Sequence, residues 1–133
     1  MTAVLHEPQL STLTVLGGLT GFPESVRYAL VEVPEAPPLF LLKSLDQPGL
    51  EFVVAPPMLF FPDYAPEIDE ASAERLELVD ANDALLLVVL TIGADAASTT
   101  ANLLAPIVIH ERTRVAAQVV LQQDWPLRAP LQR

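Results

Sequence analysis

The sequence predicts an all-β fold: a single antiparallel domain, barrel-like or sandwich, with one short helix. Three observations carry that expectation. Short runs rich in Val, Leu, Ile and Phe recur along the chain, separated by Pro, Gly and Asp, the spacing of strands and turns. The connections are too short for helical crossovers, which argues against a parallel sheet. The 133 residues suffice for one core without staples, and no cysteine is present to form them.

The elements follow in order. Residues 10–16 (LSTLTVL) open the series. Gly17, Gly18 and Gly21 then read as a turn and not as a phosphate cradle, because no GK[ST] ending follows and Phe22-Pro23 stands where a helix would begin. Runs 26–33 (VRYALVEV), 39–45 (LFLLKSL) and 50–54 (LEFVV) continue the strands. In PPMLFFPDYAP (56–66), Pro57 and Pro62 withhold backbone donors, which marks an edge or a loop-like strand. If that stretch is extended, Phe60 and Phe61 point to opposite faces. One is then a core anchor whose loss costs roughly 3–5 kcal/mol, and the other faces a partner.

A short helix is expected over 70–76, with Asp69 as N-cap and acids in the first turn. Run 85–92 (LLLVVLTI) is apolar on both faces and calls for cover on both sides. Run 103–109 (LLAPIVI) contains Pro106, which demands an edge, a bulge or a break. Residues 110–114 (HERTR) form a hairpin connection to run 115–121 (VAAQVVL), and 126–133 reads as a loosely ordered tail of a single domain 1–133.

Charge narrows function. A net charge of −10 disfavours phosphate backbones as partners. The N-terminus has no secretory pattern and the longest apolar run, 84–90, is far short of the ~20 residues of a membrane span, so a cytoplasmic protein with no membrane partner is expected. His6 and His110 lack metal spacing and read as surface histidines; no G-x-S-x-G elbow presents a serine. No catalytic, cofactor or metal residue is expected, and non-enzymatic interaction is the default class. Asp63, Glu67, Asp69, Glu70, Glu74, Glu77, Asp80 and Asp83 crowd one stretch against Arg75 alone. They read either as a solvated face or as a docking surface for a basic protein.

Four segments in order, GGLTGFPESVRYALV (17–31), LEFVVAPPMLFFPDYAPEI (50–68), TTANLLAPIVIHERTRVAAQVVL (99–121) and PLRAPL (126–131), resemble the FliW family of flagellar assembly factors. The resemblance implies a bacterial cytoplasmic β-barrel-like binding protein. Its implied partners are the translational repressor CsrA, whose block on flagellin mRNA it relieves, and flagellin, which competes with CsrA for it. Partner contacts are expected among Phe60, Phe61, Asp63, Tyr64, Glu67, Glu70, Glu74, Glu77 and Asn102. The alternatives are a flagellin chaperone without the CsrA arm and a ligand-binding small barrel. The chain departs from the family pattern before Gly17, at His110, where the pattern has asparagine, and at QQDWPLR (122–128).

Overall fold

The structure, a computed structural model, describes residues 11–131; Leu10 and His6 lie outside them. Nine strands occur there: β1 (Ser11–Val15), β2 (Arg27–Glu32), β3 (Phe40–Ser44), β4 (Glu51–Ala55), β5 (Ala84–Thr91), β6 (Thr100–Ala101), β7 (Ile107–His110), β8 (Val115–Gln118) and β9 (Ala129–Pro130). One helix, α1 (Glu70–Arg75), lies between β4 and β5.

β1, β2, β3, β4 and β5 pair in sequence, β5 pairs on through β7 to β8, and β8 returns to β1, so seven strands close a barrel. All pairings are antiparallel except β1–β8, which is parallel, with Thr14 opposite Val115. That one pairing departs from the antiparallel expectation. β6 and β9 extend the sheet beyond β5, with Leu90 opposite Ala101 and Ala101 opposite Ala129.

Two apolar clusters form, one on each face of the wall. Period-2 alternation turns Leu13, Val15, Tyr28, Leu42, Val54, Leu87, Ile107, Ile109 and Ala116 into the barrel interior. Ala55, Val88, Leu90, Val108 and Ala117 point outward from the same strands, where the 56–78 segment and the C-terminal residues cover them. The middle of β5, Leu87 to Leu90, is thus covered on both faces, whereas Leu85 and Ile92 at the ends of the apolar run are exposed.

β7 begins directly after Pro106, so the expected interruption is a break. Beyond it the two segments of the chain stay in contact without regular pairing, Val119 N donating to Pro106 O and Leu121 N to Leu104 O at 2.9 Å each. The expected glycine turn is formed: Gly18 has φ +70, and a Cβ there would meet Phe22 O and Pro23. Two expectations are corrected. His110 is 1 % exposed and not a surface residue, because it ends a strand whose four residues are all buried. Residues 126–131 are no loose tail: Leu103 N donates to Pro126 O at 3.0 Å, and β9 pairs with β6.

Asp46 fastens the start of β2. Its carboxylate accepts from Arg27 N (2.8 Å) and Val26 N (2.9 Å) and pairs with the Arg27 guanidinium at 2.9 Å. The Arg27 and Val26 amides, then the Arg27 side chain, lower its pKa from 3.8 to about 2. Because the folded value lies below the unfolded one, the contribution is present above about pH 4 and is lost as pH falls toward 2. Asp46→Asn is expected to flatten the stability–pH curve in that window, measured by urea unfolding at stepped pH.

Candidate interaction surface

The 56–66 stretch does not form a strand. Pro57–Leu59 is a 3-10 turn with proline at its start, and the amides of Phe60 and Phe61 both donate to Pro57 O, at 3.0 and 2.8 Å. A second turn follows, from Tyr64 N to Phe61 O at 3.0 Å. Opposite-face alternation therefore does not apply. Phe60 and Phe61 are both half-buried against the outer cluster, while Met58 and Leu59 are the exposed pair.

Tyr64 is 3 % exposed, so its ring belongs to the core and is not presented to a partner. Its hydroxyl donates to Leu103 O at 2.7 Å, and its ring meets Trp125 edge-on at 4.8 Å. Burial pushes the phenol up to about 12. Asn102 is half-buried, and its Oδ1 accepts from Leu104 N (3.1 Å) and Ala105 N (3.0 Å), shaping the bend before Pro106. Both residues have structural duties that the sequence reading did not assign. Trp125, to which that reading gives no role, is the partner of Tyr64.

The acids behave differently. Asp69 caps α1 as expected, accepting from Ser72 Oγ (2.7 Å) and Ser72 N (3.0 Å), and these bonds lower its pKa. Asp80 caps the next turn through Asn82 N at 2.9 Å. Asp63, Glu67, Glu70, Glu74 and Glu77 are exposed, and their carboxylates have no hydrogen bond or ion pair among the described residues. The main chain of Glu67 is held, its N donating to Gln123 Oε1 at 2.9 Å. Arg75, the base in this stretch, lies by Leu16 and Gly17 and shares a second recess with Glu77. Most of the negative charge of this stretch is thus left without a direct partner.

Glu77 holds that face in shape. It has φ 59, Leu78 N donates to Ala73 O (2.8 Å), and Glu77 N donates to Glu74 O (3.0 Å), which together end α1 in a Schellman motif. A non-glycine residue in this conformation costs roughly 1–2 kcal/mol. Glu77→Gly is expected to raise stability by about 1 kcal/mol, seen as a melting temperature roughly 3–4 °C higher in calorimetry.

No group of three His, Asp or Glu that could hold a metal occurs among the described residues, and no helix there is long and apolar enough to cross a membrane. Side chains of all seven barrel strands fill the interior, which argues against the ligand-binding barrel.

Fold and surface together define a class: a small closed β-barrel, plated on one outer side by a short-helix segment that carries an unpaired acidic face. Over residues 3–131 the chain matches the family described as FliW protein. The flagellar assembly factor FliW of Shouchella clausii is 37 % identical over 116 residues, spanning 86 % of this chain and 80 % of that protein. Its counterpart in Syntrophus aciditrophicus is 39 % identical over 112 residues, spanning 84 % and 71 %. A crystal structure of the flagellar assembly factor FliW superposes with a TM-score of 0.85 at 32 % identity, covering 91 % of this chain and 85 % of that one. The chain belongs to the FliW family of flagellar assembly factors.

Proposed function

We propose that the chain acts in the cytoplasm as a regulatory binding protein. It binds the RNA-binding repressor CsrA, relieves repression of flagellin mRNA, and binds flagellin in competition, so that flagellin level feeds back on flagellin translation. The observation that supports this is the set of exposed, unpaired carboxylates on Glu67, Glu70, Glu74 and Glu77. A protein that binds RNA is basic at its RNA-binding surface, and a field of opposite sign steers it toward such a face.

The test is purification of the chain with CsrA and flagellin from the same organism, followed by competition between them. Binding to neither overturns the reading, and binding to flagellin alone replaces it with the chaperone alternative. Reversing Glu70, Glu74 and Glu77 to lysine together is expected to slow CsrA association about tenfold at low salt and to flatten its salt dependence. An unchanged rate removes the acidic face from the interaction.

A further inference from the structure

We propose that the groove between α1 and the first half of β5 is a docking site for a basic segment that carries aliphatic side chains. Ile68, Ala73, Leu78, Ala84 and Leu86 line it, with Val79 at its side, and it encloses about 380 Å³. Val79 is 97 % exposed. A β-branched aliphatic side chain standing in water contributes no burial to folding, and here it extends the apolar lining outward.

Charge selects the occupant. Asp80 also lines the groove, and Glu70 lies one helical turn before the lining residue Ala73. The carboxylate of Glu70 has no partner among the described residues. Arg75 does not line this groove; its guanidinium lies beside Gly17. An acidic or neutral apolar segment would leave the rim uncompensated, and a purely basic one would leave the lining wet. Lysine or arginine alternating with leucine-like residues satisfies both. The inference rests on the preceding functional reading for the identity of the protein that supplies the segment, and on the groove alone for its chemistry.

The test uses a fluorescently labelled synthetic peptide of alternating leucine and lysine, read by anisotropy. An all-lysine peptide of equal charge and a leucine–glutamate peptide serve as controls. The leucine–lysine peptide is expected to bind at least about tenfold more tightly than either. Val79→Ser removes a side chain that makes no folding contact, so the fold is retained, as circular dichroism will report. It is expected to weaken the leucine–lysine peptide about tenfold and to leave the all-lysine peptide unchanged. Equal binding of the two basic peptides, or indifference to Val79→Ser, overturns the groove as the site whatever CsrA does. Failure of the wild-type chain to bind CsrA overturns the functional reading and leaves the peptide result standing.

Discussion

Tyr64→Ala is expected to destabilise the protein by about 3–5 kcal/mol. The substitution deletes a ring that is 3 % exposed and strips Trp125 of its edge-on neighbour at 4.8 Å. It also removes the hydroxyl that donates to Leu103 O at 2.7 Å. Three segments meet at this point: the 56–66 turns, the bend after β6 and the C-terminal stretch. Tyr64→Phe keeps the ring and loses only the hydrogen bond, for about 1 kcal/mol. Urea unfolding followed by the fluorescence of Trp125, the sole tryptophan, reports both variants. An unchanged midpoint for Tyr64→Ala would mean that the plate over the barrel unfolds separately from it.

His110→Ala is expected to cost about 2–3 kcal/mol, while His110→Asn costs under about 1 kcal/mol. Nδ1 of the buried imidazole accepts from Arg112 N at 3.2 Å and, at longer range, from Thr113 N at 3.5 Å, holding the β7–β8 connection. An asparagine carboxamide oxygen reaches main-chain amides two and three residues ahead in the same way. The histidine here therefore does the work available to the asparagine of the family pattern. Chemical denaturation of the two variants distinguishes the roles: if asparagine costs as much as alanine, imidazole volume matters and the acceptor does not.

Much of the barrel was legible in the sequence because its signals are local. Strand runs bounded by glycine and proline gave β2, β3 and β5 to within a residue at each end, and Asp69 with acidic residues in the turn after it gave the start of α1. The closure was not legible, since the parallel β1–β8 pairing joins opposite ends of the chain and no local pattern encodes it.

PPMLFFPDYAP misled for a definite reason. Proline is compatible both with an edge strand and with the first position of a helical turn, and here the turn wins. Tyr64 carries a polar end, which suits a surface unless a distant acceptor exists, and Leu103 O is such an acceptor. His110 looked like a loop residue because only the strand before it, all apolar, hinted at burial. Of the site, the acidic residues of the exposed face were read directly; the apolar groove beside them was not, because it forms only where α1 packs over β5.

The β1–β8 seam also has a consequence for synthesis. Its partners stand about a hundred residues apart, so this pairing carries the highest loop-closure cost in the wall and forms late. A nascent chain that ends before β8 is a curled sheet with two bare margins, one on β1 and the other on β7. Such margins are templates for pairing with neighbouring chains until the seam zips. A chain cut short between residues 110 and 115 would therefore be a sticky fragment, whereas one that includes β8 can close the cylinder.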